Sequence, residues 1–337
     1  MKLKLHLFIL LSLVFILLTG CSSASSSVNN QNADKEKLTV NIGIQQSLGP
    51  LLLAKEKGWF EEEFAKVGVD VKWTVFQSGP PHFEAMSAKR LDFGTVGNSP
   101  VISAQGADIP FTEIALTQDG TKANAILVQN DSPIKTLEDL KGKKVGVAKG
   151  SSGFDVLNKA LAHVGLTPED IQLIQLQPDE ALPAFESRAI DAWSIWEPFV
   201  SLQILNNDAR VLADGESLKL FSPGFVIARS EFIEEHPDLA VLFLKVYEKA
   251  RLYQDEEREE TIEIYAESRK IDKEVIRRVL ENNKALNLPI SDKIINAQQK
   301  TGDFQYELGI LPKKIDTSEV VDNTYINKAL KEIEDES

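Results

Sequence analysis

The stretch KVGVAKGSSGFDVLNKAL, residues 144–161, sets how the rest of the chain is read. Residues 144–148 form an apolar run of strand length. Lys149, Gly150, Ser151, Ser152 and Gly153 follow as a small polar turn. Phe154, Leu157 and Leu161 then fall at i, i+3 and i+7, the period of one helical face. A strand that enters a helix through a Gly/Ser turn aims free backbone N–H groups at a small anion. Ser151 or Ser152 can cap the helix and lend a hydroxyl to a ligand. Turn geometry alone also asks for Gly and Ser, so the motif needs a partner elsewhere before it means more. No Gly-Lys-Ser/Thr closes the turn, which sets it apart from a Walker phosphate loop.

The partner is a second copy of the same plan. Residues 39–44 read as a strand, Gln45-Gln46-Ser47 as its polar turn, and Leu48-Gly49-Pro50 as the opening of a helix through Phe60. Pro50 suits the first turn, where its missing N–H costs nothing. Further on, LDFGTVGNSP (91–100) stands opposite IDAWSIWEP (190–198): apolar–Asp, a short strand, a polar turn and a helix start. Gly43 lies 49 residues before Asp92, and Gly146 lies 45 before Asp191. Each interval holds a second strand (69–76; 171–176) and a second helix (82–89; 180–188). Two α/β lobes follow, each with a mostly parallel sheet flanked by helices. Ligands bind such sheets outside the carboxyl ends of the strands, so two facing lobes bring four strand-to-helix turns around one cleft. Strands at 109–116, 125–129 and 225–228 are the natural crossings between lobes. Residues 231–337 are helical and acidic, with stripes such as Ala240, Leu242, Phe243, Val246 and Tyr247, and Val275, Ile276, Val279 and Leu280, that pack on the first lobe.

The N-terminus carries an address. Met1, Lys2 and Lys4 precede an apolar run over 5–18, broken only by His6 and Ser12, and then Leu-Thr-Gly-Cys at 18–21. A signal peptide ending on a small residue and Cys is a lipoprotein export signal. The run is short for a spanning helix, which needs ~20 apolar residues. Cys21 is the one cysteine of 337 residues, so no internal disulfide exists and the thiol stands where lipid is added. The mature chain is expected on the extracytoplasmic face of the cell membrane, tethered by the polar segment 21–37, which cannot bury enough apolar surface to order itself. The expected organisation is a leader (1–20), the tether, the first part of lobe 1 (38–120), lobe 2 (121–222), and a return to lobe 1 with the C-terminal helices (223–337). The formal charge is −14, and loss of Lys2 and Lys4 with the leader makes it −16. Nucleic acid is therefore excluded as a partner, and an anion must be captured by local groups. His82 and His163 stand alone on helices. There is no Ser/His/Asp set, no metal-ligand spacing and no cysteine nucleophile, so neither catalysis nor a cofactor is expected.

With repeat and export signal in place, the chain resembles the substrate-binding proteins of ABC importers, in the aliphatic sulfonate, taurine and nitrate branch. The matching residues are NIGIQ (41–45), RLDFG (90–94) with GNSP (97–100), DSPIK (131–135) with DLKGKKV (139–145), KGSS (149–152) and IDAWSIWEPF (190–199). Together they cover residues 38 to about 315. That branch usually carries an acidic residue and two prolines after the first-lobe Gly, where this chain has Asn98, Ser99 and a single Pro100. It usually has Asp where this chain has Glu197.

The resemblance implies a type II periplasmic-binding-protein fold, a monomer whose lobes close on a ligand, and a membrane permease as partner. It implies a small organosulfonate, with nitrate, a thiamine-precursor pyrimidine or an aromatic compound as alternatives, and a lyase on the same fold as a more distant one. A sulfonate has three acceptor oxygens and needs donors; each hydrogen bond to a charged group contributes ~1.5–3 kcal/mol. Ser151, Ser152 and Gly153 are expected to hold the head group from lobe 2. Gln45, Gln46 and Ser47 complete it from lobe 1, with Gly97 and Asn98 beside them. Trp196 is expected to wall the carbon chain. Trp193 is placed equally in the cleft or the core. Glu197 is a helix-start carboxylate that can also meet a substrate amino group.

Overall fold

A computed structural model describes residues 37–336. The leader, Cys21 and the tether up to residue 36 lie outside the described residues.

Among the described residues ten strands form two five-stranded sheets. They are β1 (Thr39–Ile44), β2 (Asp70–Val75), β3 (Phe93–Gly97), β4 (Thr112–Gln118), β5 (Asn124–Gln129), β6 (Lys144–Val147), β7 (Gln172–Gln175), β8 (Ala192–Trp196), β9 (Ala209–Asp214) and β10 (Gly224–Ala228). The orders are β2-β1-β3-β10-β4 and β7-β6-β8-β5-β9, one pattern twice. β1 pairs in parallel with β2 and β3, as β6 does with β7 and β8. The fourth strand of each sheet, β10 or β5, runs antiparallel to both its neighbours. Parallel and antiparallel pairings are therefore equal in number, because each sheet takes in one strand that arrives from the other half. β9 was not anticipated: its residues ARVLAD are mostly half-buried on a sheet edge and carry little apolar signal.

The helices of the first sheet are α1 (Pro50–Glu56), α2 (Trp59–Lys66), α3 (Pro80–Ser87) and α4 (Asn98–Gly106). Those of the second are α5 (Ser152–His163), α6 (Pro178–Glu186) and α7 (Phe199–Asn206). The expected single helix through Phe60 is two, because Gly58 takes φ +70° and caps α2 in the left-handed region. Six more follow: α8 (Ser230–Glu235), α9 (Pro237–Glu256), α10 (Arg258–Arg269), α11 (Lys273–Asn282), α12 (Asp292–Glu307) and α13 (Thr324–Glu336). The stripe of α9 packs where its periodicity points. Phe243 stacks on Phe93 of β3 at 4.6 Å and meets Phe60 of α2 at 4.8 Å. Both faces of each sheet are covered by apolar cores, which is why the central strands read as unbroken apolar runs.

Two connections join the sheets, β4 to β5 and β9 to β10. They touch. Gly120 has φ +69°, and a Cβ there would lie 1.7 Å from the Ser222 carbonyl oxygen. Only glycine meets both demands. The Ser222 amide donates to the Asp119 carbonyl at 3.2 Å.

Candidate functional site

Four strands end at one cavity. β1 delivers Gln45 and Ser47, β3 delivers Gly97, β6 leads to Ser151 and Ser152, and β8 delivers Trp196 and Glu197. The cavity encloses about 120 Å³. Among the described residues no Lys, Arg or His lines it, and Glu197 is the one carboxylate that does.

Two helix starts abut the cavity, at Gly97 and at Ser151. α4 starts directly after Gly97 and no side chain caps it, so its first N–H groups have no intrahelical partner. α5 is capped by Ser151, whose hydroxyl accepts from the Phe154 amide at 3.2 Å. Its first two amides, on Ser152 and Gly153, stay outside the helical ladder, and the positive ends of both helix dipoles favour an anion. The two turns meet across the cleft: a Cβ on Gly97 would lie 2.0 Å from Ser152 Oγ. Gln45 Nε2 donates to the Thr95 carbonyl at 3.0 Å, and Arg269 donates to the Gln45 carbonyl at 3.0 Å. That turn is thereby fixed to β3 and α10.

Glu197 is 5 % exposed. It accepts from the Ser201 amide (3.0 Å), the Ser201 hydroxyl (2.7 Å) and Asn282 Nδ2 (3.0 Å). Burial pushes its carboxyl above the usual carboxylate range, while those donors oppose the shift. It serves the start of α7 and ties β8 to α11.

Four of the residues singled out from sequence do not line the cavity. Gln46 donates instead to Asp179 Oδ1 at 2.8 Å. Asn98 is fully buried, accepting from Ser222 Oγ at 3.1 Å and donating to Asp155 Oδ2 at 3.4 Å. Gly153 packs on β8: its carbonyl accepts from Ser194 Oγ at 2.7 Å, and a Cβ would lie 2.8 Å from the Ser194 carbonyl oxygen. Trp193 is 1 % exposed, with ring centroids 5.9 Å from Phe185 and 5.6 Å from Phe199. Trp196, half-buried, stays at the cavity wall.

The cavity also has a wall that the sequence did not announce. Thr117, Gln118 and Asn124 come from the crossing strands, Tyr247 and Gln254 from α9, and Asn283 from just past α11. Tyr265 Oη donates to Gln254 Oε1 at 2.7 Å, which leaves the Gln254 amide nitrogen as its free donor. Asn283 Nδ2 donates to Gln118 Oε1. Polar residues inside amphipathic helices read as solvent-facing, so no sequence pattern marks them for a cleft.

Three basic side chains outside the cavity are engaged with carboxylates: Lys122 with Glu216, Arg188 with Asp131 and Arg229 with Asp92. His82 is fully buried and pushed down to about 4 by its burial, so it is a neutral core group. Among the described residues no cluster of His, Cys, Asp or Glu suits a metal, and no helix is long and apolar enough to cross a membrane.

A family model described as NMT1/THI5 like matches residues 45–260. A protein of Bacillus subtilis (strain 168), provisionally named an aliphatic sulfonates-binding protein, is 53% identical over 98% of both chains. One of the same description from Escherichia coli (strain K12) is 32% identical over 90% of this chain and 94% of its own. The alkanesulfonate-binding protein SsuA of Xanthomonas axonopodis pv. citri, solved bound to MOPS, superposes with a TM-score of 0.80 at 31% identity, over 84% of this chain and 98% of that one. The doubled sheets and the shared cavity thus sit in a chain whose whole length has relatives, and it belongs to the NMT1/THI5 like family.

Proposed function

We propose that the chain is the extracytoplasmic substrate-binding component of an ABC importer and captures a small organosulfonate between two halves that close on it. The observation that carries this is the convergence of four strand-to-helix turns, two from each sheet, on one cavity without a cation. A sulfonate is ionised at every physiological pH and offers three acceptor oxygens. The Ser152 amide at the start of α5 and the hydroxyls of Ser47, Ser151 and Ser152 match it without burying a counter-ion. Trp196 supplies an apolar wall for the carbon chain. The relatives named for sulfonates support the same ligand class. A lipid on Cys21 would hold the protein to the membrane beside its permease, and lobes bounded near residues 120 and 222 would swing about the paired crossings.

Titration calorimetry of the purified protein against ethanesulfonate, butanesulfonate and taurine, with nitrate as control, tests the assignment. Heat with a sulfonate and none with nitrate is expected. Silence with all three sulfonates overturns it.

A further inference from the structure

Asp179 lies in the first turn of α6, outside the cavity and exposed to solvent. Its two carboxylate oxygens are engaged by two different loops of the other sheet. Gln46, between β1 and α1, donates Nε2 to Oδ1 at 2.8 Å. Gln77, between β2 and α3, donates Nε2 to Oδ2. These loops are the ones that shape the cavity's first wall. Gln45 and Ser47 flank Gln46 and line it, and Gly79 stands two residues past Gln77. One carboxylate therefore bridges the cleft and gathers both loops without touching the cavity. Its charge suits a helix start, and hydrogen bonds to an ionised acceptor exceed neutral ones. Gln77 Oε1 is buried without a partner, so the bond to Asp179 is the one its side-chain amide makes.

We propose that Asp179 is a positioning residue for ligand capture, a clasp that forms only when the halves come together and that lengthens the time a ligand stays enclosed. A contact made after closure slows release and leaves encounter unchanged, the usual division of effects within one binding site. The inference rests on the binding function proposed above for its kinetic form, though the clasp itself can be read without a ligand.

The test uses the full chain in detergent, with wild type, Asp179→Ala and Gln77→Ala compared by stopped-flow tryptophan fluorescence with ethanesulfonate and taurine. Either substitution is expected to raise koff about three- to tenfold with kon unchanged. The double variant is expected to be no worse than Asp179→Ala alone, because Asp179→Ala already removes the Gln77 contact together with that to Gln46. An unchanged koff, or a loss of melting temperature with binding kinetics intact, overturns the proposal. If the wild type binds neither sulfonate, the ligand assignment falls, but the clasp is still decided by disulfide trapping in a Gln77→Cys/Asp179→Cys double variant, which catches even brief closure. Oxidation that links the two positions supports it, and no link overturns it.

Discussion

Gly97 and Ser152, 55 positions apart and on different sheets, stand so close that a Cβ on the glycine would lie 2.0 Å from the serine hydroxyl. The contact sets how near the two halves of the cavity come. In Gly97→Ala the added methyl group must turn the Ser152 hydroxyl out of its place and crowd Ser152 Cβ, 3.3 Å away. Overpacking of this kind costs about 1–3 kcal/mol, and because it acts across the cleft we expect it as lost affinity rather than lost fold. Calorimetry with a bound sulfonate and far-UV circular dichroism of the free variant separate the two. Wild-type affinity in Gly97→Ala would show that the halves have slack there.

Trp193 and Trp196 should fail differently. Trp193→Ala empties a fully packed site between Phe185 and Phe199 and should cost about 3–5 kcal/mol of stability. Trp196→Ala removes part of the cavity wall and should cost about 2–4 kcal/mol of affinity with a smaller change in melting temperature. Chemical denaturation and calorimetry on both variants check the split.

Stability should fall as pH rises through neutrality. Glu113, buried on β4 with Gln298 Nε2 at 2.8 Å from Oε2, is pushed up to about 8 by its burial. The folded state holds that proton between about 4.5 and 8 while the unfolded state has released it, so stability declines with pH across that window. His82, pushed down to about 4, acts in the opposite sense between 4 and 6.5, where the unfolded state binds the extra proton. The two oppose each other below pH 6.5, and above it the Glu113 contribution is no longer offset by His82. We expect a loss of about 1–2 kcal/mol from pH 6.5 to 8 in the wild type and a nearly flat profile in Glu113→Gln. Melting curves at the two pH values decide it.

The doubled plan was legible because it is written in local pattern. The strand of residues 39–44 coincides with β1, and the Gly/Ser turn before α5 is capped by Ser151 as its sequence asks. Trp193 was left open, yet strand alternation separates it from Trp196. Positions three apart on a strand face opposite sides, and one side here is core. What stayed hidden depends on tertiary approach. Gln46 and Asn98 are taken up by Asp179 and Asp155 from the other half, partners 133 and 57 residues away in sequence. Tyr247, Gln254 and Asn283 reach the cavity only because α9 and α11 fold back over the first sheet. No periodicity records which polar residue on a helix such an approach will cover.

The cavity without lysine or arginine has a kinetic corollary. An anion nearing this chain meets a net charge of −14 and no cationic wall to draw it in. Added salt screens that repulsion, with a Debye length of about 10 Å at 0.1 M, whereas short-range bonds to backbone dipoles inside a closed site hardly feel it. Capture should therefore quicken in brine while escape keeps its pace, the reverse of what a lysine-lined trap would do.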